Sequence, residues 1–307
     1  MGKALQAQVR IILPDIGAVD LMPQTKHSQS TPRPIHGEDL AGLAPRSPDA
    51  HKGDFGHVLI VGGDLGTGGS VLLSGEAALR CGAGLVSVAT RPEHVGAGLT
   101  RLPETMCLGV ASANQLMPVL ERASVVVVGP GLGQAAWGRG LLSAVVTARV
   151  PQVWDADALN LLASTPMTLP DGSLITPHPG EAARLLGLSI QDVQADRPGA
   201  ARALAQRYGV VCVLKGAGTL VADPAGRLAR CDHGHPAMAG AGLGDVLTGV
   251  LAALMAQGLE AWAAACLGVW LHARAGERLG QQGRGLAASD LIPVIRTLLE
   301  EHSACLA

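Results

Sequence analysis

From His51 onward the apolar positions fall in short runs separated by turn residues and by Ala/Leu-rich windows with helical spacing. The clearest runs are His57 to Val61, Leu85 to Thr90, Ser124 to Val128, Gln152 to Asp155, Ser173 to Thr176 and Val210 to Leu214. Apolar on both faces, they predict strands of a parallel sheet buried under helices on either side, an α/β architecture. Ser70 to Cys81, with Gly82 as its stop, and Gln134 to Arg149 predict two of the covering helices. Thr219 to Ala222 and Arg227 to Cys231 flank Pro224-Ala225-Gly226 and predict a hairpin at the sheet edge. The last third predicts helices over Gly244 to Gln257, Glu260 to Leu279 and Ala288 to Glu301. Before His51 the picture changes: Met22 to Pro34 follows neither period, and Val9 to Leu13 predicts at most one isolated strand. The expected division is an arm or linker over residues 1–50 and one domain over residues 51–307.

Composition narrows the partners. With 23 Lys+Arg against 25 Asp+Glu the net charge is −2, and no basic cluster is available to neutralise a phosphate backbone, so nucleic acid is not an expected partner. Aromatics are 2% of the 307 residues, which removes stacking platforms for single strands and leaves the core to Ala, Val and Leu. Six cysteines without a C-x-x-C pair read as small buried hydrophobes of a reducing, cytoplasmic protein. Cys231-Asp232-His233-Gly234-His235 lacks a second ligand pair at finger spacing and reads as a turn. The stretch nearest to a membrane span, Val246 to Leu271, is interrupted by Gln257-Gly258 and Glu260, and Pro14-Asp15 stops the apolar start of any signal peptide.

In an open α/β sheet ligands bind beyond the carboxyl ends of the strands, so the residues following each run carry the candidate chemistry. Gly62 to Ser70 has the spacing of a P-loop, but Gly69 stands where the phosphate-binding lysine is required. Gly131-x-Gly133-x-x-Ala136, with Asp155 downstream, fits a dinucleotide fingerprint and keeps an NAD-linked oxidoreductase in play. Asp155 is placed to hold Mg²⁺ directly or through water, whereas Asp157 reads as a helix-opening acid. His178 between two prolines is a fixed contact, and Glu181 reads equally as a first-turn acid or a site group. The strongest run is Gly240-Ala241-Gly242-Leu243-Gly244-Asp245. The backbone of Gly242, Leu243 and Gly244 at a helix start forms an anion hole, and Asp245 stands ready to take a proton from an attacking hydroxyl. Lys215-Gly216-Ala217-Gly218-Thr219 supplies a cation and close-approach backbone for a nucleotide.

A parallel sheet, a C-terminal G-x-G-D helix start and no Walker A lysine together resemble the ribokinase-like superfamily, a three-layer sandwich. The resemblance is closer to the ADP-dependent NAD(P)H-hydrate dehydratases, carried by His51 to Gly56, Ala77 to Val86, Gly129 to Gly133, Asp155 to Leu159, Thr176 to Glu181, Leu214 to Thr219 and Gly244 to Gly249, in family order over about residues 50 to 295. It implies phosphorylation of the ring hydroxyl of S-hydrated NADH or NADPH by ADP, or ATP as in eukaryotic relatives, with Mg²⁺, then loss of phosphate to restore the cofactor and release AMP. By the same resemblance Val71, Gly133, His178 and Asp245 contact the hydrated dinucleotide, Lys215 to Thr219 and Gly244 hold the adenine nucleotide, and Asp245 is the base. A homotetramer and a functional link to an NAD(P)H-hydrate epimerase are also implied.

Three residues depart from the family pattern: Val71 for Ala, Leu243 for a hydroxyl residue, and His235 for Asn. Arg10 to Gly17 resembles the last strand of an epimerase domain, but a leader of about 50 residues is too short for a complete one, so residues 1–50 read as a remnant of such a domain or as the end of a cut one, and no epimerase activity is expected. Two further readings remain: a small-alcohol kinase of the thiazole or pyridoxal type, which stops at the phosphorylated product, and a non-catalytic nucleotide sensor.

Overall fold

The computed structural model describes residues 31–306, and the Val9 to Leu13 strand and the Arg10 to Gly17 segment lie outside that range. The described residues form a ten-stranded sheet: β1 (Arg33–Pro34), β2 (His57–Val61), β3 (Leu85–Thr90), β4 (Met106–Gly109), β5 (Val125–Val128), β6 (Gln152–Trp154), β7 (Leu174–Ile175), β8 (Val211–Leu214), β9 (Thr219–Ala222) and β10 (Leu228–Cys231). Their order is β1-β10-β9-β8-β7-β6-β5-β2-β3-β4. From β8 through β4 every pairing is parallel, while β9 runs antiparallel to both β8 and β10 as the expected hairpin.

Two helical layers cover it. One holds α1 (Gly68–Arg80), α9 (Leu243–Ala256), α10 (Ala261–Gly280) and α11 (Ala288–His302); the other holds α3 (Ala113–Leu120), α4 (Ala136–Val145), α5 (Asp157–Ser164), α6 (Pro179–Leu186), α7 (Ile190–Ala195) and α8 (Arg197–Tyr208). The remaining helix, α2 (Val95–Arg101), leads into edge strand β4. Strand side chains alternate between the layers. Val58 and Ile60 of β2, and Val125 and Val127 of β5, join the α1/α9 side; Leu59, Val61, Val126 and Val128 join the other. Each central strand is therefore buried on both faces, as its unbroken apolar run requires.

Before His51, Arg33 and Pro34 pair in parallel with Ala229 and Arg230, Ile35 is buried, and Leu40 and Leu43 pack on the α1/α9 layer. This strand has no apolar pattern because both its residues are exposed at the sheet edge. The cysteines are free; four are buried as expected, Cys107 is half-buried and Cys305 is exposed near the end of the chain. Among the described residues no helix is long and apolar enough to cross a membrane.

The topology places the site. After β1 the chain enters the middle of the sheet at β2, proceeds outward to β3 and β4, then returns to the other side of β2 for β5 and proceeds through β6, β7 and β8. The reversal opens a crevice at the carboxyl ends of β2 and β5, where sheets of this class bind ligands.

Candidate active site

The loops after β2 and β5 close against one another. Gly63 N–H donates to the Pro130 carbonyl at 2.9 Å, Asp64 N–H to the Gly131 carbonyl at 2.6 Å, and the Thr67 hydroxyl to the same Gly131 carbonyl at 2.8 Å. Gly129, at φ +121°, lies so close to the Asp155 carbonyl that any side chain would collide with it. Gly133 donates its N–H to Asp157 Oδ2 at 2.9 Å. Asp157 is thus more than a helix-opening acid, since it also accepts from the Gln134 amide at 3.1 Å and fixes the turn that presents Gly133. Val71 is fully buried beneath Gly62 and Gly63 and supports that loop from below.

Beyond β6, β7 and β8 the charged residues converge. Lys215 Nζ lies 2.5 Å from Asp155 Oδ1 and 4.0 Å from Glu181 Oε2, and Thr176 donates its hydroxyl to Asp155 Oδ1 at 2.7 Å. Asp155 and Glu181 are 3% and 5% exposed at the side chain, and Lys215 20%, so this is a largely dry cluster. Burial pulls the Lys215 pKa down, but Asp155 and Glu181 outweigh it and leave the ammonium firmly charged. For Glu181 burial is the larger effect and, despite Lys215, lifts its pKa to about 7. Between β6 and α5, Ala156 holds φ 50° and ψ −117°, a conformation that costs a residue with a Cβ of order 1–3 kcal/mol and is concentrated at functional sites.

His178 caps α6: its Nδ1 accepts from Gly180 N–H at 2.9 Å, its own N–H donates to Glu181 Oε2 at 2.8 Å, and its Nε2 lies 3.4 Å from Glu181 Oε1. Half of the side chain is exposed. Glu181 is both things that the sequence left open, a capping acid and a member of the charged cluster.

The glycine-rich run opens α9. Gly242 takes φ +83° at the N-cap, and the first helical bond is Val246 N–H to the Gly242 carbonyl at 3.1 Å, so the amides of Leu243, Gly244 and Asp245 precede the ladder. A Cβ on Gly244 would lie 3.3 Å from Lys215 Nζ and 3.6 Å from Asp155 Oδ2, which sets this turn against the charged cluster. Burial, reinforced by the Asp155 charge, raises the Asp245 pKa to about 6 against a hydrogen bond from Ser70 and the attraction of Lys215. Ser74 of α1 and Thr248 both donate to the Asp245 carbonyl at 2.8 Å and fix the turn from behind.

Next to this turn, Lys215 to Thr219, Asp232 to Pro236, Leu243, Gly244, Val269 and His272 enclose a cavity of about 630 Å³. Cys231 ends β10 and Asp232 to His235 after it line the cavity: His233 pairs with Glu277 at 3.0 Å and His235 Nδ1 accepts from Ala237 N–H at 3.1 Å. Among the described residues no group of three or more His, Cys, Asp or Glu side chains is arranged to hold a metal. Asp155, the candidate Mg²⁺ ligand, carries the Lys215 ammonium and the Thr176 hydroxyl on one oxygen, so these residues do not fit a protein-only Mg²⁺ cage. Sequence reasoning placed Ser70, Thr176 and Thr248 in its candidate runs without giving them a role and gave none to Ser74 or His272, because these residue types carry no signal until the fold aims them at this site.

The family model of the NAD(P)H-hydrate dehydratases matches residues 58–296. The bifunctional NAD(P)H-hydrate repair enzyme of Coxiella burnetii is 50% identical over 259 residues, 84% of this chain and 53% of the relative. The ADP-dependent (S)-NAD(P)H-hydrate dehydratase of Neisseria meningitidis is 39% identical over 267 residues, 82% of this chain and 88% of that one. A ribokinase-like superfamily protein from Enterococcus faecalis superposes with a TM-score of 0.81 at 28% identity, covering 88% of this chain and 96% of its own. An ADP/ATP-dependent NAD(P)H-hydrate dehydratase from Bacillus subtilis, co-crystallised with ATP/Mg²⁺, gives 0.79 at 26% identity, covering 90% and 100%. The chain spans about half the length of the bifunctional relatives it matches. With the family model and the ribokinase-like sheet in agreement, the chain belongs to the NAD(P)H-hydrate dehydratase family.

Proposed function

We propose that this chain restores S-hydrated NADH or NADPH by ADP-dependent dehydration, with ATP as an alternative phosphoryl donor. The observation that carries the reading is Asp245: a carboxylate with its pKa raised to about 6, at the end of a turn of open amides and beside Lys215. Asp245 takes the proton of the ring hydroxyl as its oxygen attacks the β-phosphorus of ADP, and the bond to AMP breaks. The open amides of Leu243, Gly244 and Asp245 meet the charge that grows on the phosphoryl oxygens. The phosphorylated ring then loses phosphate together with a proton from the adjacent carbon, which regenerates the dihydronicotinamide. Lys215 to Thr219, Gly244 and the 630 Å³ cavity take the adenine nucleotide, and Gly133, His178 and the loop shaped by Val71 take the dinucleotide. Mg²⁺ belongs with the nucleotide phosphates, as its preference for phosphate and water ligands dictates.

A cytoplasmic homotetramer, and supply of the S epimer by an NAD(P)H-hydrate epimerase, complete the reading on the strength of the family resemblance. Incubation with S-hydrated NADH, Mg²⁺ and ADP, ATP or no nucleotide tests it. Nucleotide-dependent return of NADH absorbance with AMP released from ADP is expected; a phosphorylated product that accumulates without recovery would identify an alcohol kinase instead.

A further inference from the structure

We propose that His272 is a positioning residue for phosphoryl transfer, acting through the peptide that joins Leu243 to Gly244. His272 sits on α10, at the wall of the nucleotide cavity, and its Nε2 lies 3.0 Å from the Leu243 carbonyl oxygen. A carbonyl only accepts, so Nε2 carries the hydrogen and the ring is held in one tautomer. Burial first, then the nearby Lys215 charge, lowers the His272 pKa to about 4, so the ring is neutral at working pH. The titratable and charged groups that line the same cavity are Lys215, Asp232, His233 and His235, of which Lys215 acts on the ring.

The geometry of one peptide unit makes this contact more than a tether. The Leu243 carbonyl and the Gly244 N–H belong to the same rigid plane and point in opposite directions. Holding the carbonyl from α10 therefore fixes the direction of the Gly244 amide, and polarising that carbonyl makes the amide a stronger donor. This amide belongs to the open first turn of α9, at a residue where a Cβ would lie within 3.6 Å of both Lys215 Nζ and Asp155 Oδ2. The other supports of the turn, Ser74 and Thr248, act on the Asp245 carbonyl; at the Leu243 carbonyl His272 adds a bond from another helix to the one made within the α9 ladder.

The inference rests on the nucleotide reading of the cavity, and its test uses binding as well as turnover so that the two can fail separately. His272→Leu keeps bulk and removes the donor, while His272→Gln restores an N–H of similar reach. Calorimetry with ADP and with AMP is run beside the dehydratase assay. His272→Leu is expected to weaken ADP by roughly tenfold relative to AMP and to lower kcat by at least that factor. The KM for the hydrated dinucleotide should stay within about twofold, and His272→Gln should recover most of the loss. Equal loss for ADP and AMP, or no rescue by Gln, would reduce His272 to a packing residue and overturn the proposal. If neither variant folds, ¹⁵N shifts of the wild-type imidazole decide: a neutral Nε2–H ring through ADP binding is required, and any other form refutes it. A wild type that binds ADP but dehydrates nothing removes the dehydratase reading and leaves the ADP-to-AMP comparison intact.

Discussion

At the scale of single residues the site is a contest between burial and pairing. Asp245 has to be ionised to act as base, so kcat/KM should rise about tenfold per pH unit below about 6 and level off above it; a pH profile with no acid limb there would remove its role. The same shift acts on stability with the opposite sign. The folded state holds the Asp245 proton more tightly than the unfolded chain, so the stabilisation present at low pH is lost as pH rises through about 6. Above that, ionised Asp245 costs at most about 3 kcal/mol. Asp245→Asn should therefore lose at least about 10²-fold in turnover while keeping ADP binding, and should melt higher than wild type at pH 8 but not at pH 4. Lys215→Met has a different signature. It leaves Asp155 buried beside Glu181 with no cation, a change that typically costs about 3–5 kcal/mol, and urea titration together with ADP affinity should register both losses.

At the scale of elements, α1 and α9 meet at such close quarters that a Cβ on Gly249 would collide with the Ser74 carbonyl. Gly249→Ala should cost about 1–3 kcal/mol in denaturant unfolding and, by shifting Ser74 away from the Asp245 carbonyl, reduce kcat as well; a variant with full activity would show that the turn is held otherwise. The elements also show what the sequence discloses. Central strands such as β2 and β5 are legible to within a residue because burial on both faces forces a nearly unbroken apolar run. Edge strand β4, Met106–Gly109, and helix α8, rich in Arg and Ala with few large apolar residues, were not read, because one is largely uncovered and the other buries mostly alanine. The glycine-rich turn and Asp245 were legible because that composition at a helix start has few other physical uses. Glu181 stayed ambiguous because capping and charge pairing require the same residue, and Lys215 was read as a free cation because nothing in a linear sequence brings Asp155 to it.

At the scale of the whole molecule, the doubly covered sheet leaves its carboxyl edge as the place where several loops converge, and it gathers Asp155, Glu181 and Asp245 around one ammonium. That imbalance makes the protein a proton buffer for its own ligand. A nucleotide phosphate arriving beside Glu181, near 7, and Asp245, near 6, raises their proton affinity further. Binding of metal-free ADP should therefore take protons from solution and weaken as pH rises from 6 to 8. Calorimetry at one pH in two buffers of different ionisation enthalpy would count them, and equal heats in both would mean that the carboxylates keep their charge. Nucleotide occupancy then tracks the acidity of the surroundings.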